Sequence, residues 1–329
     1  MNAHWSCLRA LGFGLLMQSA VVMPAPAQTY PDRPVRIISD SAAGSAVDFA
    51  LRLSAERLGQ IWGQQVVAVN QPGAGGAISA RTAADATPDG YTLYMPALST
   101  FLAVAGRAPN LPLKLPRDFT PIGGVSNQPM FIAVAPSLGV SKLSELIELA
   151  KKRPGEISYA VTGVGRLTHL TGELLQRRAG IKLLLVPYSG GPSHALTDVM
   201  GGRIPVIIEG YPGLAGAIQS GGLKAIATGA ATRLPDFPDL PTVAETIPGF
   251  EAVGWQVLLA PVGTPQAIID KASVDLRKVL EMDDVKKQLA VRGVYPSIMS
   301  PAQVIAYVNG LQQTWTPILE DLVAAETKK

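Results

Sequence analysis

Short runs of apolar, largely β-branched residues alternate with stretches of helical spacing along most of this sequence, and few architectures accommodate that order. Residues 35–38, 66–69, 91–95, 130–135, 157–160, 183–186, 206–208 and 223–228 read as strands. Between them Val47, Ala50, Leu51, Ser54 and Leu58 recur with helical periodicity as far as Gly59, and residues 77–86 are rich in alanine. Residues 143–152, 168–179, 193–200 and 214–220 carry further helices. The alternation predicts an α/β fold of mostly parallel sheets flanked by helices, with a ligand site beyond the carboxyl ends of the strands. Residues 253–260 are apolar throughout and read as a strand buried on both faces. Crossings near Asn127 and Gly254 divide the mature chain into a discontinuous first lobe, 28–127 plus 254–329, and a second lobe, 128–253. A hinged cleft is expected between them. Ser141 is placed to cap the helix at 143–152, Thr264-Pro265 reads as N-cap and first helical residue, and Ser300-Pro301-Ala302-Gln303 reads as a capping box.

Asn70 to Gly90 sets Gly73, Gly75 and Gly76 where a strand becomes a helix. Two readings of these glycines stand side by side. In one they serve only a tight turn with positive φ. In the other the bare amides of residues 75–77 and the partial positive charge of the helix start make a seat for an anion. Ser99 and Thr100, at the exit of the next strand, offer hydroxyls to a ligand or act as local caps.

With 329 residues, 47% hydrophobic and 16% charged, the chain can build two domains with real cores. A net charge of +3 without a dense basic run excludes a nucleic-acid footprint. Arg9 in a short polar leader, the apolar residues 11–23 and Ala25-Pro26-Ala27 read as a signal peptide, 1–27, cleaved at Ala27/Gln28. Gln18 and Ser19 interrupt the apolar stretch, which falls short of the ~20 residues a membrane span needs. The mature protein is therefore expected in the periplasm. The one cysteine, Cys7, precedes the cleavage site, which leaves no disulfide, cysteine nucleophile or cysteine metal site.

Cofactor and enzyme chemistry lack their residues. Gly73-Ala74-Gly75-Gly76 and Gly163-Val164-Gly165 each follow a strand, but neither completes a dinucleotide fingerprint and neither is followed by the acidic residue a ribose requires. The mature chain has two histidines, His169 and His194, in separate βα units, and no Gly-x-Ser-x-Gly elbow. No cofactor, metal or catalytic residue is expected. His169 lines or caps its helix, or touches a ligand; His194, in a helix's first turn, reads as structural.

Seven segments carry a resemblance: YPDRPVRII at 30–38, NQPGAGG at 70–76, ATPDGYTL at 86–93, DFTPIGGV at 118–125, VPYSGGPSHALTDVMGGRIPV at 186–206, DLPTVAE around Leu240, and LLAPVGTP at 258–265. Together they resemble the tripartite tricarboxylate transporter receptors, the extracytoplasmic solute-binding proteins called Bug proteins in Bordetella. The resemblance implies a two-lobed, type II periplasmic-binding-protein-like fold, monomeric, that closes on a small carboxylate. Its implied partners are membrane transporter subunits; a solute sensor that presents its ligand-bound form to a membrane kinase is the alternative.

The family's first-lobe loop, of the form PFxPGGxxD, corresponds to residues 40–48, with Asp40-Ser41 in place of Pro-Phe and Ser45 in place of the second glycine. Its second-lobe loop, SSGNGTSPH, corresponds to residues 161–169, where Arg166 is the unusual member, and an acidic-Asn pair becomes Glu209-Gly210. Taken with the strand-exit hydroxyls, the resemblance gives expected ligand contacts at Ser41, Gly44, Ser45, Gly75, Gly76, Ser99, Thr100, Thr162, Gly165, Arg166 and Glu209. A carboxylate is expected on the amides of Gly44 and Ser45, helped by Gly75 and Gly76, with Arg166 gripping a second acidic or polar group. An ion pair between Arg166 and Glu209 is the competing reading. Asp40 adds either a repulsive charge or a partner for a cationic ligand group.

Overall fold

The computed structural model describes residues 30–97, 100–101 and 114–326; the leader, its cleavage point and Ser99 lie outside them. β1 (Val35–Ser39) is buried along almost its whole length and takes parallel partners on both sides, β2 (Val66–Asn70) and β3 (Thr92–Tyr94). α1 (Ala46–Trp62) joins β1 to β2 and α2 (Ala77–Ala84) joins β2 to β3. α1 runs through Gly59, where a side chain would press within 3.1 Å of the Gln64 carbonyl, and ends instead at Gly63, whose φ of 62° makes the left-handed cap.

β4 (Phe119–Val134) is far longer than the apolar run that announces its C-terminal end. The second half then repeats the βα order: α3 (Leu143–Lys152), β5 (Ser158–Val161), α4 (Leu167–Ala179), β6 (Leu184–Pro187), α5 (Pro192–Met200), β7 (Val206–Gly210), α6 (Tyr211–Gln219) and β8 (Lys224–Thr228). β9 (Val253–Pro261) returns, followed by α7 (Gln266–Glu281), α8 (Asp283–Ala290), the short β10 (Tyr295–Pro296) and α9 (Pro301–Glu326).

The hydrogen-bonded strand order is β2-β1-β3-β9-β4-β7-β5-β6, with β8 and β10 also on β4. The sheet is mixed, which corrects the mostly parallel expectation. β1, β2 and β3 are parallel, as are β5, β6 and β7, but β4 and β9 run against every neighbour they meet. These two strands connect the halves, so they enter each βα array from the opposite direction. β4 pairs with β9 from Phe119 to Pro129 and with β7 and β8 from Met130 onward. At the change of partner, Met130 N–H donates to Ala252 O, Gly229 N–H to Met130 O and Ala252 N–H to Gly229 O, at 2.7–2.9 Å.

Two capping expectations also change. Lys142, not Ser141, is the N-cap of α3, and the Glu145 carboxylate accepts from the Ser141 amide at 2.6 Å. Thr264 turns its hydroxyl to Pro261 O at 2.8 Å, so Pro265 precedes α7 as the cap residue. The Ser300–Gln303 box forms, with Gln303 N–H on Ser300 Oγ at 3.3 Å and Ser300 N–H on Gln303 Oε1 at 2.9 Å. Among the described residues no helix is long and apolar enough to cross a membrane.

Candidate ligand cleft

A cleft of about 280 Å³ opens at the carboxyl ends of β1, β5 and β7, a volume suited to a small molecule. Ser45 and Val47 bring the N-terminus of α1 to it, Arg166, Leu167 and Thr168 that of α4, and Gly191 and Pro192 that of α5. A helix start leaves its first-turn amides without intrahelical partners and carries partial positive charge, so three such starts on one cavity favour an anion. Gln128 and Met130 of β4 also line the cleft, which places it at the point where the chain passes between halves.

Asp48 builds the 40–48 loop. It is 4% exposed, and its carboxylate accepts from Gly44 N–H at 2.9 Å, Asn70 Nδ2 at 2.9 Å and Arg52 Nε at 3.0 Å. Asn70 also donates to Ser41 O at 3.0 Å, which fastens the loop to the end of β2. The amides expected to receive a carboxylate are consequently in use: that of Gly44 by Asp48, that of Ser45 by Ala42 O at 3.3 Å. The same holds in the glycine turn, where Gly76 N–H donates to Gly73 O and Ala77 N–H to Ala74 O. Residues 73–76 all have positive φ, including Ala74 at 45°, a conformation that a side chain rarely tolerates. Pro72, Gly73, Ala74 and Gly75 form one wall of the cleft.

Asp40 and Arg166 meet across the cleft. Arg166 Nη2 donates to Asp40 O at 2.7 Å, while Nη1 lies 3.3 Å from Asp40 Oδ1 and 3.4 Å from Thr100 Oγ1. Asp40 is fully buried and also accepts from Ala97 N–H at 2.9 Å, from Tyr94 and Ser41 at 3.4 Å, and from the Thr100 hydroxyl in a short bond. Arg166 therefore pairs with Asp40, not with Glu209. The pocket for the Asp40 head is cut close: a side chain on Gly76 would come within 2.5 Å of Thr100 and 2.7 Å of Asp40.

Glu209 ends β7 at 3% exposure, accepting from Thr162 Oγ1 at 2.5 Å and from Gly210 N–H at 2.8 Å. Burial pushes its carboxyl above the usual glutamate range, against those two hydrogen bonds and the field of Arg166, which pull it down. Gln128 and Thr168 also line the cleft, and Gln128 Oε1 and Thr168 Oγ1 are buried without a hydrogen-bond partner. His169 Nδ1 accepts from Gly165 N–H at 3.1 Å, so this histidine holds its own loop closed.

Of the residues expected from the sequence, Ser41, Ser45, Gly75, Thr162, Arg166 and Glu209 line the cleft. Gly44, Gly76, Thr100 and Gly165 stand behind its walls, bonded to Asp48, Gly73, Asp40 and His169. Sequence reasoning missed Gln128, which a polar residue inside an otherwise apolar crossing strand could have signalled, and Ser189 on the rim.

Comparison with known proteins agrees with this geometry. The sequence profile of the tripartite tricarboxylate transporter family receptors matches residues 50–323. Protein BugT of Bordetella pertussis is 34% identical over 312 residues, covering 94% of this chain and 95% of BugT. The periplasmic binding protein BugD superposes with a TM-score of 0.81 at 32% identity, over 89% of this chain and 98% of BugD. MatC from Rhodopseudomonas palustris, solved with bound malate, gives a TM-score of 0.80 at 28% identity, over 88% of this chain and 100% of MatC. With its two βα arrays joined by antiparallel crossing strands around one cleft, this chain belongs to the tripartite tricarboxylate transporter receptor family, a family of solute-binding proteins and not of enzymes.

Proposed function

We propose that the chain is a periplasmic receptor that holds a small carboxylate-bearing solute in the cleft and hands it to a tripartite tricarboxylate-type transporter. The observation that supports this most directly is the opening of three helix N-termini, those of α1, α4 and α5, onto one small cavity. A carboxylate then sits on first-turn amides of α1 and α4 and on the hydroxyl of Ser45, while Ser41 and Thr162 donate their own protons to Asp40 and Glu209. Gly44, Gly76, Thr100 and Gly165 hold these elements from behind. Charge-assisted hydrogen bonds net about 1.5–3 kcal/mol each, so four of them are comparable to the ~8 kcal/mol of micromolar binding before association costs. The malate in MatC, a small carboxylate, is consistent with this scale of ligand.

In this reading the lobes are 28–127 plus 254–329 and 128–253, and they close by rotation about the paired crossing strands at Met130 and Ala252. The test is calorimetry on protein purified through unfolding, which strips carried-over solute, against a panel of small carboxylates. Binding accompanied by a smaller radius of gyration in X-ray scattering is expected. The absence of binding by any carboxylate of the panel refutes the function. Export is tested separately, by mass spectrometry of the periplasmic chain, which is expected to begin near Gln28.

A further inference from the structure

The charges that face the cleft do not suit a doubly acidic solute. Its one guanidinium among the described residues is that of Arg166, no lysine lines it, and two carboxyl groups do, Asp40 and Glu209. Arg166 is spoken for: it holds Asp40 through the carbonyl at 2.7 Å and the carboxylate at 3.3 Å, and its side chain is only 17% exposed. A second carboxylate on the ligand would meet no free cation, and would face Glu209 at the end of β7.

Glu209 is placed to receive a donor instead. Thr162 and Gly210 each take one of its oxygens, which leaves lone pairs on both, since a carboxylate offers about four acceptor sites. Gln128 and Thr168 also line the cleft, and their Oε1 and Oγ1 atoms are buried and unpartnered, at 8% and 5% residue exposure. Unmatched buried oxygens are costly and uncommon in native proteins, and an N–H donor on the ligand is a partner that either could take. Burial raises the Glu209 carboxyl, against Thr162, Gly210 and Arg166; a neighbouring cation would draw it back toward the ionised form.

We propose that the solute carries, besides its carboxylate, a hydrogen-bond-donating cationic group, in the simplest case an ammonium, seated against Glu209, so that this receptor takes amino acids in preference to dicarboxylates. The inference rests on the reading of the cleft as a carboxylate site. The carboxylate lies on the helix starts and the ammonium against Glu209, with Gln128 and Thr168 lining the same cleft. The Asp40–Arg166 pair enforces the choice, because it withdraws from the solute the one group suited to a second acid.

The test is calorimetry on the refolded full-length mature protein with matched probes. The protein amino acids are compared with the same acids lacking the amine. 4-Aminobutyrate and 5-aminopentanoate are compared with glutarate and adipate, in which a carboxylate replaces the ammonium, and with butyrate and pentanoate. The expected result is an amino acid that binds at least about tenfold more tightly than both of its matches, the loss of one charge-assisted contact. Glu209→Gln should remove that preference, while Asp40→Asn, which keeps the main-chain bond to Arg166 but removes the charge that neutralises it, should move the preference at least about tenfold toward the diacid. A diacid or an amine-free acid that binds the native protein as tightly as its amino match overturns the inference, whether or not the variants fold. So does a preference that survives Glu209→Gln. If no acid of any of the three classes binds, the carboxylate reading of the cleft itself has failed, a result distinct from the other two.

Discussion

Arg166→Met tests whether the cross-cleft pair belongs to the dominant state of the protein. The substitution keeps the apolar stem that packs on Gly163, where a side chain would come within 2.8 Å of Arg166 Cγ, and removes the guanidinium. Asp40 is then left fully buried without its counter-charge. Removing one partner of a buried ion pair costs about 3–5 kcal/mol. Asp40 retains Ala97 N–H, Thr100, Tyr94 and Ser41 as donors, so the lower end applies and about 3 kcal/mol is expected. Asp40→Asn removes the charge that needs compensation, and adding it to Arg166→Met should recover about 1–2 kcal/mol of that loss. Urea unfolding of ligand-stripped protein, with unchanged slope, measures all three variants. In the proposed two-lobed reading the pair joins the lobes, and the same energy favours a closed cleft. A loss below about 0.5 kcal/mol for Arg166→Met, or additive effects in the double variant, would refute the reasoning: the pair would then form only in a minor, closed population.

Glu209→Gln should change the pH dependence of melting. The folded pKa of Glu209 lies above its ordinary value of 4.5, so its favourable protonated form is complete below that value and is lost as pH rises through the folded one. The variant should therefore gain Tm relative to the native protein as pH rises above 4.5, and a difference independent of pH would contradict this. Asp48→Ala leaves the Gly44 amide and Asn70 Nδ2 short of an acceptor in a nearly buried site, and should cost about 2–3 kcal/mol in urea unfolding. Gly76→Ala combines a φ of 102° with contacts of 2.5 Å and 2.7 Å on Thr100 and Asp40; a loss of at least about 2 kcal/mol in urea unfolding is expected.

What the sequence alone determined is what neighbouring residues decide together. The span of α3 and its end before Pro154-Gly155, the Ser300–Gln303 box and the placing of a glycine turn between β2 and α2 all rest on signals a few residues apart. The two loops at 40–48 and 161–169 were legible for the same reason, and both contribute to the cleft walls. What they do there was decided elsewhere. The first ten or so residues of β4 contain Pro121, Gly123, Gly124 and Pro129, poor strand formers that announce no strand. They form a strand because β9 supplies a partner more than a hundred residues later, with register shifts at Pro121/Gly123 and Gly124/Ser126, and because Gly124 lets the Ser297 carbonyl approach. Arg166 faced a similar choice between Glu209, beside it in the same half, and Asp40, which is 126 positions away. Charge pattern could not select between two carboxylates. Only the folded chain did so, by burying Asp40 between Tyr94, Ala97 and Thr100 and leaving Glu209 to the Thr162 hydroxyl and the Gly210 amide.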